Sequence, residues 1–200
     1  MFQEFQIDGR ITMPPETVPK IITVRDFDEE GVETFAKDMV EANDKGQDII
    51  PIIIDSYGGS AYALLRMIDI IENIGKPVAT IIEGKAMSCG SILAAMGTPG
   101  YRFAAPRSWI LLHATKAGTM GTPTKMVADV AHVSALEKDI YTMMAKHCKQ
   151  NKNYFLKLIR EADGADIYFT PKEAVKHKVC DIVAIPRLIT TCEVKTTFGY

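Results

Sequence analysis

An α/β fold with mostly parallel strands is the architecture this sequence predicts, and three observations carry it. Short apolar runs at Lys20–Val24, Ile49–Ile54 and Val78–Ile82 alternate with stretches of helical period. Helix caps and stops punctuate them, with Asp28 before one helical stretch and Gly75 and Pro77 after the next. The 200 residues, 47% of them hydrophobic, suffice for one domain with a full core.

In order, Phe2–Met13 alternates loosely around Asp8-Gly9, a hairpin signal, and Pro14, Pro15 and Pro19 make an extended connector. Lys20–Val24 reads as a strand. Asp28 caps a helix presenting Val32, Phe35, Ala36, Met39 and Val40 on one face. Ile49–Ile54 is a buried strand in which Pro51 argues against full central pairing. Asp55–Ser60 is a turn. The next helix buries Leu64, Leu65, Ile68, Ile71 and Ile74. Strand Val78–Ile82 leads through small residues at Ser88 into an apolar helix, and Tyr101–Ala104 and Trp109–Leu112 are further short strands.

Beyond His113 the chain turns glycine-rich, from Ala117 to Thr122. Thr122 then caps a long helix with Pro123 at its first position. Val127, Val130, Val133, Leu136, Ile140, Met143 and Met144 run along one side of it. Another helix covers about Asn153–Ala162. Thr170-Pro171-Lys172-Glu173 is a capping box, and Asp181–Ile185 is a last core strand.

A net charge of −2 gives no reason to expect nucleic acid or an acidic membrane as partner. Cys89, Cys148, Cys180 and Cys192 have no metal-type spacing and suit reduced thiols in a cytosol-like compartment. No run is long enough to span a bilayer, and the first residues do not form a secretory signal.

Chemistry concentrates where strand Val78–Ile82 turns into its helix. A sharp strand-to-helix turn points its residue outward, beside the unpaired N–H groups of the new helix. Ser88 occupies that turn, and a hydroxyl held there can be a nucleophile. Serine at a helix start is also an ordinary N-cap. Gly58-Gly59, between a buried strand and a helix, lets backbone N–H groups approach a ligand, or simply makes a tight turn. His113 ends an apolar strand, where ligands gather in open α/β folds, although a lone strand-end histidine is commonly structural. Asp166 precedes the capping-box helix, with Asp163 a rival by position; either also suits a solvated turn. Ser88, His113 and Asp166 together supply nucleophile, base and orienter. Ala86 stands where the nucleophile elbow of an α/β-hydrolase has glycine, so that fold matches poorly.

These residues resemble the ClpP family, the proteolytic subunits of ATP-dependent Clp proteases, over about Lys20–Arg187. The similar motifs are Ile54–Ser60, Gly84–Gly90, Leu111-Leu112-His113, Gly118–Thr122, and Asp166 followed by Glu173-Ala174-Val175 and Asp181. The resemblance implies a ClpP/crotonase-like α/β fold of stacked, mostly parallel sheets with crossover helices. It also implies a cytoplasmic serine endopeptidase with Ser88 as nucleophile, His113 as base and Asp166 as orienter. Gly59 and Cys89 would hold the oxyanion through their N–H groups, with Gly58 shaping the loop. Gly118–Gly121 would pair with an extended peptide as an added strand. The implied assembly is two stacked rings of seven around a chamber fed by an AAA+ unfoldase. That partner hydrolyses ATP, and this chain needs no metal or other cofactor.

On that reading, residues 20–187 are the peptidase domain, 1–19 an N-terminal segment with a candidate axial hairpin, and 188–200 a tail. The departures are Asp55 and Tyr57 where the family has asparagine and proline, and Ala114-Thr115-Lys116 where glutamine–proline is usual. The latter places a cation near the specificity pocket. The alternatives are a ring subunit that cuts little, a crotonase-like acyl-coenzyme A binder, and Cys89 as nucleophile; Cys89 is expected instead to point into the core.

Overall fold

The computed structural model describes residues 18–189. The N-terminal hairpin expected at Phe2–Met13, most of the C-terminal tail and Cys192 lie outside them. The elements are β1 (Ile22–Val24), α1 (Glu29–Asp44), β2 (Ile50–Ser56), α2 (Ala61–Asn73), β3 (Val78–Met87), α3 (Cys89–Ala95), β4 (Arg102–Ala104), β5 (Trp109–Leu112), α4 (Pro123–His147), α5 (Tyr154–Glu161), β6 (Ile167–Phe169), α6 (Pro171–Lys176) and β7 (Ile182–Val183).

The strands form one 7-stranded sheet ordered β1-β2-β3-β4-β7, with β5 and β6 on a branch. Every pair is parallel except β5–β6. The branch arises because β3 is long enough to serve two neighbours. Its first half pairs Thr80–Ile82 with β4, and its second half pairs Lys85–Met87 with β5. Parallel neighbours need crossover connections, and helices α1 and α2 supply them between β1, β2 and β3.

Caps fall where the residue types predict. Asp28 Oδ1 accepts from the Gly31 N–H at 2.7 Å, and Thr170 and Glu173 complete a capping box on α6. Pro51 pairs with Ala79 on β3, while β1 reaches only Ile52–Ile54; the residue without an N–H therefore faces no β1 partner. Ile22, Ile52, Ile54, Leu64, Leu93 and Ile110 are fully buried at the heart of the core. Among the described residues every buried side-chain nitrogen or oxygen has a hydrogen-bond partner.

The structure resolves one apolar stripe and corrects one strand. The apolar stripe of α4 does not all face the core: Val127 and Val130 are exposed, and burial begins at Ile140, Tyr141, Met144 and Ala145. The N-terminal half of the helix is largely exposed, so periodicity marks an apolar face there that the core does not cover. The last strand is not a core strand. It spans only Ile182–Val183, at the sheet edge against β4, and leaves Ile182 and Ile185 exposed.

Candidate active site

Three neighbouring strands carry the three predicted polar residues to one edge of the branch. β3 runs parallel to β5 with Met87 opposite Leu111, and the Ser88 N–H donates to the Leu111 carbonyl at 2.9 Å. β5 runs antiparallel to β6 with Leu112 opposite Ile167. His113 follows Leu112 and Asp166 precedes Ile167, so each stands one residue beyond the last paired step of that ladder. Ser88, His113 and Asp166 thus stand one residue past the paired ends of β3, β5 and β6. Asp163, by contrast, sits beyond the end of α5 with φ +48°, away from the ladder.

Ser88 holds φ +52° and ψ −120°, a conformation L-residues rarely adopt. It stands at the N-cap position of α3, yet its hydroxyl makes no cap bond. The ordinary capping role is therefore not what this serine does. Instead its carbonyl accepts from the Ser91 N–H at 3.0 Å and the Ser91 hydroxyl at 2.6 Å, which locks the turn. Ser88 is half-buried, with one side open to solvent.

The glycine loop packs directly on this turn. A Cβ on Gly58 would meet Ser88 Cβ at 2.8 Å and the Met87 carbonyl oxygen at 2.9 Å. Gly58 has φ +96°, so position and conformation both demand glycine. The loop is fixed from below. Ser56 Oγ donates to the Arg25 carbonyl at 2.5 Å and accepts from the Gly58 N–H at 3.0 Å. The Ser60 N–H donates to the Phe27 carbonyl at 2.7 Å, and Gly59 bridges to Phe27. The Cys89 thiol donates to the Gly59 carbonyl at 3.3 Å, tying the loop to the first residue of α3. Cys89 heads the helix, so its N–H has no intrahelical acceptor. Burial pushes its thiol pKa up, outweighing its hydrogen bond to Gly59. The side chain is 5% exposed, a poor setting for a nucleophile.

Lys85 and Tyr57 flank the loop. Lys85 Nζ lies 2.6 Å from Asp55 Oδ1 and 4.3 Å from the centre of the Tyr57 ring. The Asp55 contact raises the lysine pKa, so the residue is charged at neutral pH.

His113 is half-buried, and its Nδ1 lies 2.6 Å from the Ala114 carbonyl oxygen. A carbonyl only accepts, so Nδ1 carries the proton of the neutral ring and Nε2 keeps its lone pair. Asp166 Oδ1 faces Lys116 Nζ at 3.3 Å. Among the described residues no hydrogen bond joins Ser88 to His113 or His113 to Asp166: the imidazole and the carboxylate each take another partner. From α4, the Tyr141 hydroxyl donates to the His113 carbonyl at 2.8 Å. Tyr141 is buried, and desolvation raises its pKa well beyond the ordinary tyrosine range. The sequence reading missed this support; the signal was a tyrosine between Ile140 and Met144 on the apolar stripe.

The segment 114–121, holding Gly118 and Gly121, follows His113 and has no strand partner. It is tied back to α4 through the Thr115 N–H on Glu137 and the Thr119 hydroxyl on Asp129, which also pairs with Lys125. No group of three or more His, Cys, Asp or Glu among the described residues could hold a metal ion, and no described helix is long and apolar enough to cross a membrane.

Residues 19–187 match the Clp protease family. Over 148 residues the chain is 33% identical to the ATP-dependent Clp protease proteolytic subunit of Bacteroides fragilis, a stretch covering 74% of this chain and 69% of that protein. It is 32% identical over 148 residues to the same subunit of Bacteroides thetaiotaomicron, covering 74% and 65% of the two chains. Against the subunit of Porphyromonas gingivalis it is 30% identical over 142 residues, covering 71% and 62%.

Proposed function

The chain belongs to the Clp protease family, and from that premise we propose that it is a Clp-type serine endopeptidase subunit that hydrolyses peptide bonds of unfolded polypeptides. The observation that carries this reading is the Ser88 turn: a strained serine, its hydroxyl unused as a cap, beside a glycine loop, on a strand end whose neighbours β5 and β6 end at a histidine and an aspartate. In this scheme Ser88 Oγ attacks the peptide carbonyl and passes its proton to His113 Nε2. The N–H groups of Gly59 and Cys89 hold the tetrahedral oxygen. His113 returns the proton to the leaving amine, and water then hydrolyses the acyl-enzyme. Asp166 orients the imidazole, and the segment Gly118–Gly121 takes the peptide as an added strand. The chain works as a subunit of two stacked seven-membered rings in the cytoplasm, with an AAA+ unfoldase consuming ATP on its behalf.

Ser88→Ala tests the assignment. The expected result is loss of cleavage of fluorogenic peptides and of phosphonate labelling, with the oligomer unchanged on size-exclusion chromatography. Near-normal turnover in that variant overturns it. A second reading, a ring subunit that cuts little, draws on the partners that His113 and Asp166 take in place of each other. Titration with a serine-directed fluorophosphonate separates the two: stoichiometric labelling of the chain alone favours the enzyme, and labelling only of a co-assembled second subunit favours the scaffold.

A further inference from the structure

One cation beside His113 has no part in the acyl-transfer scheme. Lys116 lies on the segment after the histidine, and its ammonium faces Asp166. The carboxylate one residue before β6, at the end of the ladder where β5 runs into His113, is thus engaged by a lysine. The imidazole in turn gives its Nδ1 proton to the carbonyl of its own neighbour, Ala114. Ring and carboxylate each take a partner from the four residues His113–Lys116.

Resting on the hydrolase reading above, we propose that Lys116 is a positioning residue that acts through Asp166. By pairing with the carboxylate it holds a resting arrangement in which the Ala114 carbonyl orients His113; release of Lys116 lets Asp166 accept the Nδ1 proton instead. The two arrangements are not equivalent for proton transfer. A neutral carbonyl fixes the tautomer, but it offsets little of the positive charge the ring gains on taking the Ser88 proton. A carboxylate in the same place does both. Lys116 therefore sets the fraction of chains poised to react.

The strength of the pair fixes the size of the effect. Side-chain exposures of 72% for Lys116 and 34% for Asp166 make it a surface ion pair, weak and readily screened. A pair of that kind shifts an equilibrium by about two- to fivefold. It tunes the site and does not shut it.

The experiment compares the full-length wild type with Lys116→Gln and Lys116→Arg. The readouts are turnover of an uncharged fluorogenic peptide and the second-order rate of Ser88 labelling by a fluorophosphonate. Lys116→Gln is expected to raise kcat and the labelling rate about two- to fivefold, with little change in KM, while Lys116→Arg stays at the wild-type level. Raising ionic strength from about 0.05 to about 0.5 M should speed the wild type toward the glutamine variant and leave that variant flat. The downfield proton resonance of a histidine Nδ1–H shared with a carboxylate should strengthen in Lys116→Gln, a change that loosening of the segment alone would not produce. Unchanged or lower kcat in Lys116→Gln, with an unaltered imidazole resonance, overturns the proposal. If Ser88→Ala retains turnover, the hydrolase reading is what fails, whatever Lys116 does.

Discussion

Arg102–Asp181 and Lys116–Asp166 are both cation–carboxylate pairs on this chain, and their surroundings make them different objects. Arg102 is 4% exposed. Its Nη2 and Nε reach Asp181 at 2.5 and 2.9 Å, and its Nη1 donates to the carbonyls of Ala95 and Lys178. Asp181 also accepts from the Gly100 N–H at 2.7 Å. One guanidinium thereby ties β4 to the ends of α3 and α6 and to the approach to β7. Lys116 makes a single contact at 3.3 Å from an exposed position. A buried charge with all its donors satisfied has no second arrangement to adopt, whereas an exposed one exchanges its partner for water or salt at little cost. The contrast separates the part of the molecule that specifies the fold from the part that can be retuned around the site.

The hardest way to break the comparison is to remove the buried cation. Arg102→Ala leaves Asp181 without its ionic partner and the Ala95 and Lys178 carbonyls without this donor. A loss of about 3–5 kcal/mol in stability is expected, measured by urea unfolding. A loss under about 1 kcal/mol would place the pair in the same class as Lys116–Asp166.

Next in size is the glycine loop. Gly58→Ala puts a methyl 2.8 Å from Ser88 Cβ at a backbone φ of +96°, for an expected cost of about 1–3 kcal/mol. Turnover should fall by about 10² or more, since in the proposed mechanism the displaced loop carries an oxyanion donor. Gly75→Ala is the control. It has a similar φ of +71° with nothing within 4 Å, so stability alone should drop, by about 1 kcal/mol.

Acid should act in two smaller steps, sharpening the distinction between buried and exposed groups. His177 lies against Phe169 at a ring separation of 4.5 Å and Tyr154 Oη at 2.8 Å, and burial lowers its pKa. The unfolded chain then binds a proton that the folded chain resists, so this contribution is intact above 6.5 and declines as pH falls below it. For Asp181, burial alone would raise the pKa, but its bonds from Arg102 and Gly100 outweigh that and hold it below 3.8. Its contribution is present above 3.8 and lost as pH falls through the lower folded value. Urea midpoints measured against pH should show the first step vanish in His177→Phe and the second in Asp181→Asn; a profile unchanged in both variants would refute this assignment.

Much of the architecture was legible because it is written in local patterns. Asp28, Thr122 and Thr170 cap the helices expected of them, and Pro51 lies one residue before the pairing with β1 begins. The stripe from Val127 to Met144 was legible as one face, but periodicity does not report what covers it, and β7 misled because an apolar run does not say whether it lies in the core or at an edge. At the site, glycine doublet, serine turn and strand-end histidine were visible one by one. Tyr141 beneath His113 was not, since contacts between residues distant in sequence leave no local mark.

Alone, the sequence determined the alternation of strands and helices, their caps, and which residues are candidates for chemistry, because each depends on side chains a few positions apart. Only the tertiary structure decided that β3 would serve two neighbours, that the strand ends of β3, β5 and β6 would meet at one edge, and that Lys116 would reach Asp166. Strand register and ion-pair choice are settled by packing across some fifty residues of chain, from His113 to Asp166, and that competition exists only once the core has closed.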